Sequence, residues 1–336
     1  MALRKARVFA VVLVALLWLL PQALAGSPEG VEQPQINVGY MPIAEETPKW
    51  VAYEEGFFKR HGLDARLVRF ESGPDMVTAL IGGSIQFGMV GTPGLINAAL
   101  ADRPIVAFTD NGSNVMGPQG YEYYTGLVVL AKSPIKTLGD LKGRTIAFNV
   151  LKANSETQTV MQVDRWNREH PDQRIDLNKD VRIVTIPFGS MPAALEKGIA
   201  DAASMIEPYT TQLMMRQQVR VISPVAYAMP NWPVSVGIVR RDFAGAHPKT
   251  AAAYKAAWLD SVAWIGQHPG MAKQLVAKYA GVPQDVAQRL VMPSWGRDVA
   301  PVRSRLEQVM RAMQQDGMIQ KTVDLSRWLV ENPSAR

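Results

Sequence analysis

Two rhythms of apolar and polar positions alternate along the chain. Ile36-Asn37-Val38-Gly39-Tyr40 alternates with period two and predicts a strand. Met41 to Glu46 reads as a loop. Thr47 and Pro48 then open a helix as N-cap and first helical residue. Trp50, Val51, Tyr53 and Phe57 recur at helical spacing, and Gly62 ends that helix. Residues 65–70 predict the next strand, 72–74 a turn, 76–81 a helix and 85–90 a strand. Strands alternating with helices predict an α/β layered fold with largely parallel sheets.

The same order restarts further on. Residues 144–148 predict a strand and 155–166 a helix, with Ser155 and Gln158 at capping-box spacing. Residues 181–186, 191–197 and 200–205 predict strand, helix and strand. The two runs superpose at one offset, 115 residues: Met76 falls on Met191, Ala79-Leu80 on Ala194-Leu195, Gly83 on Gly198 and Pro93 on Pro208. Two similarly wound lobes follow from that self-similarity. At the same offset Gly91-Thr92-Pro93 corresponds to Ile206-Glu207-Pro208. Beyond Trp232 the pattern changes. A strand at 234–239 leads into a long helical stretch from Lys249 to Gln267 and further helices to about Trp328, as in a chain returning to cover its first lobe. The expected crossings lie near Val128–Ser133 and Ala228–Pro233. The expected organisation is a flexible tail over 26–35, lobe 1 over 36–130 and 232–336, and lobe 2 over 131–231.

Residues 1–25 stand apart. Arg4, Lys5 and Arg7 precede an apolar run from Val8 to Leu20, and Ala23-Leu24-Ala25 supplies an A-x-A site. This is the layout of a secretory signal peptide, so we expect a periplasmic protein. Its removal takes three positive charges and no acidic ones, and the net charge falls from +6 to +3. No dense basic patch interleaved with aromatics is present, which argues against nucleic acid as a partner. Cysteine is absent, which excludes thiol catalysis and thiolate metal sites. The four histidines, His61, His170, His247 and His268, match no metal-ligand or H-E-x-x-H spacing. No G-x-S-x-G elbow or Walker loop occurs. We expect no catalytic residue, metal or cofactor.

Five segments together resemble ABC-transporter solute-binding proteins of the nitrate/sulfonate/taurine type. They are Glu55-Gly56-Phe57-Phe58 with Gly62-Leu63, "SGPDMVTALIGGSIQFGMVGTPG", "SPIKTLGDLKGRTIAF", "PAALEKGIADAASMIEPY" and "GIVRRDFAGAHP". The resemblance implies a type II periplasmic-binding-protein architecture: two doubly wound lobes that close on a small molecule. It implies delivery to an ABC-transporter membrane permease, not catalysis, and we expect a monomer. The expected ligand is a small polar organic solute, a sulfonate- or taurine-like anion or zwitterion. The alternatives are a pyrimidine or thiamine-precursor ligand, or an enzyme on the same fold. Gly83-Ser84-Ile85-Gln86 and Gly198-Ile199-Ala200-Asp201 stand where the family commonly has Gly-Asp-Ile-Asp.

Ligands of open α/β sheets bind beyond the carboxyl ends of strands. The loops there give the expected ligand-binding set: Ile43, Ala44, Glu45, Ser72, Gly73, Gly91, Thr92, Pro93, Asn149, Asn154, Ser155, Phe188, Glu207 and Trp232. Thr92 and Ser155 read as N-caps of helices whose free N–H groups suit an anion. Glu45, Glu46, Asp75 and Glu207 are carboxylates suited to an amine or ring N–H. Glu207 stands out among them, because it occupies the lobe-two position equivalent to Thr92. Tyr121, Tyr123, Tyr124, Tyr209, Met41, Met89, Met191 and Met205 lie near the expected cleft or crossings, with core packing as the simpler role.

Overall fold

The computed structural model describes residues 30–118, 120, 122–216, 218–297 and 300–330. The segment expected to be a signal peptide and Tyr121 lie outside the described residues. Strands β1 (Gln35–Tyr40), β2 (Asp64–Arg69), β3 (Phe87–Gly91), β4 (Ile105–Ser113) and β10 (Pro233–Arg240) form one sheet, in the order β2-β1-β3-β10-β4. Strands β5 (Tyr124–Leu130), β6 (Thr145–Phe148), β7 (Arg182–Thr185), β8 (Ala202–Ile206) and β9 (Val219–Ser223) form the other, in the order β7-β6-β8-β5-β9. The orders are equivalent. In each sheet four strands run in one direction, and the fourth position in the order is taken by a single antiparallel strand that arrives from the other lobe, β10 in one and β5 in the other.

The place of β5 corrects the expected boundary. Residues 124–130, read as lobe 1, pair with β8 and β9 in the second sheet. The first crossing is expected near Val128–Ser133. That stretch is the end of β5 instead, and the chain crosses within residues 114–123. This crossing is tied to the returning one. Asn114 N donates to Trp232 O at 2.9 Å, its Oδ1 accepts from Tyr124 N at 2.7 Å, and its Nδ2 donates to Glu122 Oε1 at 2.9 Å. Glu122 Oε2 accepts from Ala226 N at 2.9 Å.

Two smaller corrections concern ends. Residues 32–33, read as flexible, are anchored: Glu32 Oε2 accepts from Thr250 N and caps the helix Pro248–Gln267. The helix opened by Thr47 stops at Glu54, because Gly56 turns left-handed (φ 72°) before a second short helix, Phe57–Arg60. The lobe 1 core stacks Phe87 on Tyr254 with ring centroids 4.0 Å apart, beside Phe108 and Trp258. The lobe 2 core packs Leu127, Val129, Ile146 and Phe148 against Val163. These strands are buried on both faces, as strands covered by helices must be. Among the described residues no helix is long and apolar enough to cross a membrane.

Candidate functional site

The carboxyl ends of β1, β2, β3, β6, β7 and β8 open onto one cavity between the sheets. Its lining includes Met41, Ile43 and Glu45 after β1, Gly73 and Pro74 after β2, and Gly91 and Gly94 at the end of β3. The second lobe adds Asn149, Val150, Ala153 and Asn154 after β6, Phe188 after β7, Ile206 from β8 and Tyr124 from β5. The cavity measures about 40 Å³, room for about three waters.

Seven of the expected residues line it: Ile43, Glu45, Gly73, Gly91, Asn149, Asn154 and Phe188. The other seven lie behind them. Thr92 is buried, and its hydroxyl donates to Pro233 O at 2.8 Å. Gly91 is the N-cap of the helix Thr92–Leu100, with Pro93 inside its first turn. Ser155 likewise sits one residue inside its helix, Asn154–Glu169. Its hydroxyl donates to Asn149 Oδ1 at 2.8 Å and bonds the Tyr124 hydroxyl at 2.8 Å, fixing two cavity side chains. No capping box forms there, and the Gln158 amide is buried without a hydrogen-bond partner. Trp232 Nε1 donates to Asn154 Oδ1 at 3.2 Å, while Asn154 Nδ2 donates to Val234 O at 2.8 Å. Ser72 caps its own helix through Asp75 N. Ala44 N donates to Glu207 O at 3.2 Å.

Glu207, expected among the ligand-binding carboxylates, is placed differently. Its carboxylate accepts from Thr211 N at 3.0 Å, Thr211 Oγ1 at 2.7 Å and Val291 N at 3.2 Å. It is absent from the cavity lining and holds protein groups instead of facing a ligand. The peptide between Glu207 and Pro208 is cis, and the next helix starts only at Tyr209. The tyrosine hydroxyl then reaches across to Pro42 O at 2.8 Å.

Two features give the cavity its electrostatics. The helices Thr92–Leu100 and Asn154–Glu169, one from each lobe, begin at it without a side-chain cap. Both present the positive end of the helix dipole. Glu45, 1% exposed, lines the same cavity. Its Oε1 accepts from Ser235 Oγ at 3.1 Å, and its Oε2 has no hydrogen-bond partner. Burial, reinforced by neighbouring Glu46, holds the Glu45 carboxyl well above the usual range. Glu46 itself pairs with Lys49 at 2.6 Å, and Lys49 also donates to Gly39 O at 2.9 Å. No local signal separates the two acids: Lys49 stands at (i, i+3) from Glu46 and at (i, i+4) from Glu45, and only the fold gives it to Glu46.

A second buried acid lies on β4 near the cleft. Burial pushes the Asp110 carboxyl up to about 6, although Arg305 lies 3.7 Å away and Gly112 N donates to it. A carboxyl with a raised folded-state pKa contributes stability that is full below about pH 4 and lost as pH rises through about 6. The expected size is on the order of 3 kcal/mol. Asp110→Asn is expected to remove this slope, so the stability difference between variant and wild type changes between pH 4 and 7. Urea unfolding at several pH values would measure it, and parallel pH profiles would refute it.

The fold has known counterparts. The periplasmic aliphatic sulphonate binding protein SsuA from Escherichia coli superposes with TM-score 0.67 at 21% identity, covering 89% of this chain and 92% of that one. The taurine-binding periplasmic protein of Escherichia coli (strain K12) is 26% identical over 265 residues, 76% of each chain. The bicarbonate transport ATP-binding protein CmpC of Synechocystis sp. (strain ATCC 27184 / PCC 6803 / Kazusa) is 28% identical over 244 residues, 70% of this chain. The match spans only 36% of CmpC. The model of the NMT1-like family matches residues 29–281, three quarters of the sequence, and the chain belongs to that family.

Proposed function

We propose that this protein is the extracytoplasmic solute-binding component of an ABC importer. It captures a small polar organic solute, a sulfonate- or taurine-like anion or zwitterion, by closing its lobes, and delivers it to a membrane permease. The observation that carries this reading is the cavity between the lobes. Both sheets contribute their carboxyl-end loops to it, and two uncapped helix N-termini meet there. The leader over residues 1–25 supports export to the periplasm.

Titration of the purified protein with one- to three-carbon sulfonates, carboxylates and amino acids tests the reading. At least one member is expected to bind saturably, and small-angle scattering to show compaction on binding. Absence of saturable binding across the panel would overturn it.

A further inference from the structure

We propose that Glu45 is a specificity-determining residue for the nitrogen end of an amphoteric ligand, whose acidic group sits at the two helix N-termini. This inference rests on the solute-binding reading above. Three observations support it. Glu45 is almost wholly buried yet lines the cavity. Its Oε1 is engaged as an acceptor by Ser235, while its Oε2 is left without a partner. The same cavity already answers an anion's needs, with an uncapped helix start at Gly91 and another at Ala153-Asn154.

A plain anion can use this carboxyl only in its protonated form, as a single O–H donor, and is repelled by the ionised form. A ligand N–H or ammonium, in contrast, satisfies the free oxygen with a charge-assisted hydrogen bond. Other acids near the site are already engaged: Glu46 with Lys49, and Glu207 with Thr211 and Val291. Tyr123 places its hydroxyl 3.1 Å from Glu45 N and holds the backbone of the acid in place.

The spacing limits the ligand. Ser235, which holds Glu45, is paired with Gly91 across the β3–β10 ladder. Paired residues on antiparallel strands have Cα atoms about 5 Å apart. Glu45 and the helix start at Gly91 are thus held side by side through one strand pair, and a single small ligand can reach both. The class is a short amino-substituted acid, with the acid a sulfonate or a carboxylate.

Matched probe pairs that differ only in the amine test this: taurine against ethanesulfonate, β-alanine against propionate, glycine against acetate. Affinities are measured by calorimetry on the full chain. In the acid series that binds, the wild type is expected to prefer the amine-bearing member by at least tenfold. Glu45→Gln is expected to bring that ratio close to one, and Glu45→Asp to restore part of it. A residue that only supported the fold would weaken both members of a pair equally and leave the ratio unchanged. Equal or tighter binding of the bare acid by the wild type overturns the proposal and leaves solute capture standing. Binding of no member of any pair overturns both. The wild-type ratio needs no variant, so a Glu45→Gln protein that fails to fold does not shield the proposal.

Discussion

Gly91→Ala is expected to weaken solute binding about 100-fold while leaving both lobes folded. A Cβ built at Gly91 would lie 2.7 Å from Asn154 Nδ2 and 3.1 Å from its Cγ, closer than side chains approach. Gly91 ends β3 in the first lobe, and Asn154 starts a helix of the second. The collision is therefore between lobes and arises on closure. Asn154 cannot swing aside without loss, because its Nδ2 is bound to Val234 O and its Oδ1 to Trp232 Nε1. Overpacking costs about 1–3 kcal/mol, and each lost hydrogen bond about 1 kcal/mol. A total of about 3 kcal/mol against the closed state corresponds to about 100-fold in affinity. Calorimetry on the tightest-binding solute of the panel, with scattering to follow compaction, would measure the effect. Gly245→Ala, where the added methyl meets nothing within 4 Å, serves as the control and is expected to bind normally. Normal binding and closure by Gly91→Ala would show that the lobes do not meet at this point when ligand is bound.

The residues that the sequence revealed and those it concealed differ in how far away their partners lie. The repeat at a 115-residue offset has a direct structural counterpart. Gly83 and Gly198 are both left-handed, with φ of 77° and 70°. Gln86 and Asp201 both accept from a backbone N–H of the adjacent parallel strand, Asn37 N at 2.7 Å and Thr145 N at 2.8 Å. The departures from Gly-Asp-Ile-Asp thus preserve the bond with an amide or a carboxylate alike. Local periodicity exposes such features because turn and strand are adjacent in the chain. The roles of Thr92 and Ser155 were misread for the opposite reason. Both residue types are good N-caps, and spacing alone assigns their hydroxyls to their own helices. The actual acceptor of Thr92 is Pro233 O, 141 residues away. Trp232, another expected ligand contact, turns out to hold Asn154, itself a lining residue, through a bond that no local pattern announces. The lobe boundary was hidden similarly. The run Leu127 to Leu130 is apolar whichever sheet it joins, and only its pairing with β8 and β9 places it in the second.

Glu207→Ala is expected to destabilise the protein by about 3 kcal/mol, which would make it a joint between lobes and not a ligand contact. The carboxylate accepts the backbone and side-chain donors of Thr211 and the amide of Val291, all from buried positions. Removing an acceptor from buried donors costs about 1–3 kcal/mol, and two of these bonds are to backbone. The effect also spreads along the chain. Val291 begins a strap in which Ser294 pairs with Ser113 of β4 and Trp295 Nε1 donates to Glu45 O at 2.9 Å. Glu207 thus fastens the second lobe to a segment that rests on the loop carrying Glu45. Glu207→Gln keeps one carbonyl acceptor and is expected to lose less than half as much. Urea unfolding of both variants, with the affinity ratio of a matched amine pair measured beside it, separates the two carboxylates. Changes at Glu207 should lower stability and weaken both members of the pair together. Changes at Glu45 should move the ratio. A Glu207→Ala protein with wild-type stability and a lost amine preference would give the nitrogen pole to Glu207 and leave Glu45 as a buried acid of the core.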